Sequence, residues 1–83
     1  MGEYTATVTV RLKGGVLDPE ATTTQRALER LGFDIDALRS ADIFELDLDA
    51  DSPDEAHERA DEMAERLLAN PTIHDYEVEV TER

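Results

Sequence analysis

Hydrolysis or group transfer needs a nucleophile beside a base, and this chain holds few candidates. There is no cysteine, which excludes thiol catalysis and thiolate metal sites. Ser40 and Ser52 are the only serines, and His57 and His74 the only histidines. Ser52 opens the run Ser52-Pro53-Asp54-Glu55, a capping box that commits its hydroxyl to a helix start. Nothing in the spacing joins Ser40 to either histidine, and a serine without an adjacent base is a weak nucleophile. The two histidines are far apart and lack the spacing of a zinc pair.

The carboxylates are too many for any pair to be singled out. Acid–base work would need one of them desolvated beside an apolar pocket, and no such position stands out. Asp47, Asp49 and Asp51 alternate like the start of a calcium loop, with Glu58 at the twelfth place, but the sixth place is Ser52 and not glycine. They read better as the wet face of a strand. Gly14-Gly15 sits where phosphate loops sit, yet neither the dinucleotide nor the Walker pattern is present. Asp18 and Glu20 put negative charge where a phosphate would bind. Arg26 and Arg30 are one helical turn apart, a possible phosphate or partner contact. The favoured reading is that they suit the negative helix end and stay solvated.

The elements that would position these residues are legible from periodicity. Tyr4, Ala6, Val8, Val10 and Leu12 alternate with Thr5, Thr7, Thr9 and Arg11, the pattern of a half-buried strand. Lys13-Gly14-Gly15 ends it. Asp18 as cap and Pro19 at the first helical position start a helix expected over 19–31, with an apolar stripe of Ala21, Thr24, Leu28 and Leu31 and a left-handed stop at Gly32. Residues 34–50 read as extended, Phe44, Leu46, Leu48 and Ala50 facing inward. The phase slips near Ser40-Ala41-Asp42, which allows two strands joined by a turn or one long bulged strand. A second helix is expected over 53–69, with Ala56, Ala60, Met63, Ala64 and Leu67 as its stripe and Glu55–Arg59 and Glu62–Arg66 as supporting pairs. Asn70-Pro71 stops it. A last strand over 73–80 buries Tyr76, Val78 and Val80, and residues 81–83 are expected to fray. The fold class is α+β: two layers, two helices over an antiparallel-type sheet, order β-α-β-α-β, ferredoxin-like or similar. Residues 1–83 form one domain. Strand edges short of lysine and proline are open to a second copy.

Twenty-one Asp and Glu against eight Lys and Arg give a net charge of −13. Such a surface repels phosphate backbones and anionic lipid, so nucleic acid and membrane are poor partners. No apolar run is long enough to span a bilayer and the N-terminus lacks a signal core, so a cytoplasmic location is expected. Lys13 is the only lysine. Acid excess with arginine over lysine resembles proteins of salt-accumulating halophiles, and at molar salt a Debye length of about 3 Å screens most of the self-repulsion.

The run Leu12-Lys13-Gly14-Gly15-Val16-Leu17-Asp18-Pro19 resembles a signature of the PurS family, the small subunit of phosphoribosylformylglycinamidine synthase. Ala27-Leu28, Leu31-Gly32, Glu45-Leu46, Leu67-Leu68-Ala69-Asn70-Pro71 and Ile73 to Val80 agree with the same family in order and spacing. The chain departs at Ala41-Asp42, where the family often has Gly-Lys, and at His74, where it has glutamate. The resemblance implies a PurS-like fold and a catalytically silent subunit. It would bridge a glutaminase (PurQ), which releases ammonia from glutamine, and a synthetase (PurL), which spends ATP on formylglycinamide ribonucleotide in purine biosynthesis. It implies a homodimer or tetramer, no cofactor in this chain, and ATP with Mg in the synthetase. Lys13, Gly15, Val16, Leu17, Asp18, Asn70 and Pro71 are the expected partner contacts. Lys13 leads, because it has no capping duty, whereas the glycines, prolines and Asp18 also serve turns and caps. Two other readings stand beside this one. A small ligand-binding module would show a ligand-induced thermal shift, and a free-standing enzyme would need the missing acid or nucleophile.

Overall fold

A computed structural model describes residues 2–83. The strand β1 (Gly2–Leu12) lies between β2 (Ala41–Ala50) and β3 (His74–Glu82), antiparallel to both. Its alternation is obeyed throughout. Tyr4, Ala6, Val8 and Val10 are buried, and the threonines between them turn to the open face of the sheet. In register, Val8 meets Phe44 on one side and Val78 on the other.

The helix α1 (Pro19–Arg30) starts on Asp18, whose carboxylate accepts the Ala21 N–H at 3.0 Å. It stops at Gly32, with φ of 98°. There the Phe33 N–H returns to the Leu28 carbonyl, so orphan carbonyls of the last turn are satisfied. The second helix, α2 (Pro53–Met63), starts on Ser52, whose hydroxyl accepts the Glu55 N–H at 3.1 Å. Both expected pairs are formed, Glu55–Arg59 at 2.6 Å and Glu62–Arg66 at 3.0 Å.

Three expectations are corrected. The second helix does not run as one α-helix to residue 69. Residues Ala64–Leu68 form a π-turn, closed by the Ala69 N–H on the Ala64 carbonyl. One extra residue in the turn moves the buried stripe from Ala56, Ala60 and Ala64 to Ala69 with half-buried Leu68, and leaves Leu67 84% exposed. The 34–50 stretch is one strand, beginning only at Ala41. Residues 33–40 are tied back to α1 instead, Gln25 donating to the Ile35 carbonyl and Ser40 to the Asp18 carboxylate. The C-terminus is paired, not frayed. The strand β3 reaches Glu82, and the Arg83 N–H donates to the Glu3 carbonyl.

The core lies between α2 and one sheet face. Ala6, Val8, Val10, Ala60, Ala64 and Ala69 form its centre, with Phe44, Leu46, Tyr76 and Val78 closing over it. Tyr4, Ala50 and Ala56 form a smaller cluster toward the start of α2. Alanines on α2 let helix and sheet approach closely. The first helix contributes only one buried residue, Ala21. Leu17 and Leu31 at its two ends are 87% and 74% exposed. The molecule is elongated, 52 × 27 × 15 Å.

Candidate docking site at one end of the sheet

The expected contact residues come from two loops that are remote in sequence, and the fold brings them together. The strand β1 runs out at Leu12, opposite His74 of β3. One residue on, the Lys13 N–H donates to the Ile73 carbonyl at 2.8 Å. The Lys13 ammonium reaches the Asp75 carboxylate at 3.0 Å. The turn after Lys13 is closed by the Val16 N–H on the Lys13 carbonyl, with Gly15 at φ 85°, a region that disfavours side chains. Val16 and Leu17 then face solvent.

On the neighbouring loop, Asn70 organises a tight turn. Its side-chain oxygen accepts the Thr72 N–H, its carbonyl accepts from Ile73 and His74, and its own N–H donates to His74 Nδ1 at 2.9 Å. Pro71 is exposed at the tip. Lys13 is therefore not idle: it staples the two loops. Its partner Asp75 was not among the expected site residues. By alternation Asp75 shares the face of Glu77 and Glu79, and nothing local in the sequence joins it to Lys13.

Asp18 joins a third segment to the site. One carboxylate oxygen caps α1 and the other accepts the Ser40 hydroxyl at 2.9 Å. These bonds, the Ala21 N–H first and the Ser40 hydroxyl second, hold its carboxyl below the usual carboxylate value. Between the 13–18 turn and the 38–41 segment lies an open depression of about 500 Å³, lined by Arg11, Lys13, Gly15, Asp18, Arg39 and Ser40 among others. A second one, about 560 Å³, lies on the other side of Lys13, against Pro71, His74 and Tyr76. The Tyr76 hydroxyl donates to Asp61 at 2.9 Å, and burial, with that bond, pushes its phenol above the ordinary value.

Both serines are committed to local hydrogen bonds. The Ser52 hydroxyl accepts a helix N–H and the Ser40 hydroxyl donates to Asp18, so neither meets a histidine. Among the described residues, no three His, Asp or Glu side chains converge on a point that could hold a metal ion. No helix of the described residues is long and apolar enough to cross a membrane.

The model of the family described as PurS: Phosphoribosylformylglycinamidine (FGAM) synthase matches residues 5–82. The chain belongs to the PurS family. The PurS subunit of Methanothermobacter thermautotrophicus is 39% identical over 80 residues, covering 96% of this chain and 95% of that one. The Methanocaldococcus jannaschii subunit is 42% identical over 78 residues, covering 93% and 94%. The crystal structure of M. jannaschii PurS, one of the subunits of formylglycinamide ribonucleotide amidotransferase, superposes with a TM-score of 0.87 at 41% identity over 96% of this chain and 98% of that one. A chain of the PurLQS structure from Thermotoga maritima superposes with a TM-score of 0.88 at 29% identity, over 98% and 100%. The α+β architecture seen here is thus that of PurS subunits, and the chain is a subunit of phosphoribosylformylglycinamidine synthase, a ligase of purine biosynthesis.

Proposed function

We propose that this chain is the non-catalytic subunit that bridges the glutaminase and the synthetase of the amidotransferase, so that ammonia released from glutamine reaches the ATP-activated formylglycinamide ribonucleotide. The observation that carries this reading is the match, along nearly the full length of both chains, to a protomer of the Thermotoga maritima PurLQS structure. The two stapled loops around Lys13, Gly15, Val16, Leu17, Asp18, Asn70 and Pro71 are the contact surface in this reading. Most of them are exposed, and hydrogen bonds tie the two loops together at one end of the sheet. ATP and Mg²⁺ belong to the synthetase chain, and the assembly works in the cytoplasm.

Self-association is part of the same reading. The helix α1 buries too little to be stable by itself, and the outer edges of β2 and β3 carry unpaired backbone groups. A second copy meets both needs, as a homodimer or a tetramer. Light scattering on the purified chain should give twice or four times the 9.3 kDa of one chain, and a mass of 9.3 kDa would overturn self-association.

The test of bridging is reconstitution with the glutaminase and synthetase chains of the same organism in molar salt. The three should co-purify. Omitting this chain should abolish glutamine-dependent turnover while leaving turnover with ammonium salts in place. Equal glutamine-dependent turnover without it would sink the bridging role.

A further inference from the structure

The basic residues of this chain divide by location. Arg11, Lys13, Arg59, Arg66 and Arg83 each lie within 4.0 Å of a carboxylate. Arg26, Arg30 and Arg39 have no such partner among the described residues, in a chain with 21 carboxylates. Arg26 and Arg30 stand together. They line one shallow groove of about 580 Å³ on α1, with Thr23 and Glu29. Glu29 is in the same groove, yet forms no ion pair with either.

Position on the helix narrows the explanations. At 3.6 residues per turn, Ala21, Gln25 and Leu28 share the side that turns to the rest of the chain, and they are the buried or half-buried residues of α1. Arg26 and Arg30 lie on the opposite side, and both are exposed. A second copy covering the apolar stripe of α1 would leave them outward. Arg30, in the last turn, suits the negative end of α1, but the like-charge spacing offsets part of that gain, so helix stability alone does not call for two arginines on one face. A phosphate polymer as occupant conflicts with the net charge of −13.

We propose that the Arg26–Arg30 face of α1 is a docking surface for a carboxylate-bearing surface on one partner chain of the amidotransferase. Two guanidinium forks one helical turn apart match two carboxylates about 6 Å apart, such as an acidic pair on one face of a helix. Arginine suits the task because its fork holds a carboxylate through two hydrogen bonds. The surface is separate from the Lys13 loops. A chain with two such surfaces can hold two different proteins at once. The proposal rests on the bridging reading and gives one of its two contacts a location.

The test uses the full chain carrying Arg26→Glu and Arg30→Glu, with the purified synthetase and the purified glutaminase offered separately at one salt concentration. Affinity for one of the two should fall about tenfold or more while the other is unaffected, as expected when a contact ion pair is reversed. A double Arg→Lys variant keeps the charge but loses the fork, and should recover part of the loss. Circular dichroism and the mass in solution should match wild type. If the reversal unfolds the chain, Arg26→Gln with Arg30→Gln takes its place. Unchanged affinity for both partners overturns the proposal while bridging stands. Loss of self-association in the variant overturns it too, since the occupant is then a second copy. Wild type binding neither chain removes the bridging reading and the proposal with it.

Discussion

Asp18 shows how much one side chain is asked to do. Its two carboxylate oxygens hold a helix start and the loop before β2 at once. Both bonds favour the ionised form, so the folded carboxyl has a lower pKa than the unfolded one. The folded state therefore binds fewer protons at this site. The stability it supplies is complete above the unfolded value and is lost as pH falls through the folded value. Urea denaturation of wild type and Asp18→Asn should give a stability difference that is steady near neutrality and shrinks on acidification. A difference flat along the whole acid limb would show that the charge contributes nothing. Val8 poses a different question at the same scale. It is wholly buried in the central strand and touches both layers. Val8→Ala removes two methyl groups with little room for collapse, and should cost about 2 kcal/mol in the same assay.

At the scale of elements, the two helices differ in what holds them. The second is buried through Ala56, Ala60 and Ala64 and capped by Ser52. Ser52→Ala leaves the Glu55 N–H without its acceptor and should destabilise the chain by about 1 kcal/mol, read from the denaturation midpoint. The first helix is held by its caps and two side-chain bonds from its flanks, Ser40 to Asp18 and Gln25 to Ile35. Hydrogen exchange should therefore release the amides of α1 before those of β1, which is paired on both sides. Protection of α1 equal to that of β1 would mean that a second copy already covers the helix in solution. The π-turn between α2 and the Asn70 loop belongs to the same scale. It re-aims the chain so that Ala69 is buried and the loop that follows meets Lys13.

The whole molecule is governed by its charge. The open face of the sheet aligns carboxylates that repel. Glu3 faces Asp49, and Thr7 is flanked by Glu45 and Glu79. Like charges in cross-strand register weaken a sheet. Raising salt from 0.1 M to 1 M shortens the Debye length from about 10 Å to about 3 Å, which removes most of this cost. The melting temperature should rise steeply with KCl over that range. A flat response would separate the acidity of this chain from any adaptation to salt. The same face, wet and negative, is a poor partner for nucleic acid.

Local chemistry was legible in the residue order. The alternation of Tyr4 to Leu12, the caps at Asp18 and Ser52, the stop at Gly32 and the i,i+4 pairs of α2 all stand where spacing puts them, because each depends on neighbours within about one turn or one strand. The run from Leu12 to Pro19, with the ending from Leu67 to Val80, was enough to point to the family. Contacts that join distant segments were not legible. Lys13 looked unoccupied until β1 and β3 paired and placed Asp75 beside it. Ser40 looked like part of a strand until the fold set it against Asp18. Leu67 fitted a helical stripe until one extra residue in the π-turn rotated it outward. The free arginines of α1 could be told from the paired ones only in three dimensions. Periodicity records which way a side chain faces. What it faces depends on which distant segments pack together, and that is decided by the tertiary structure.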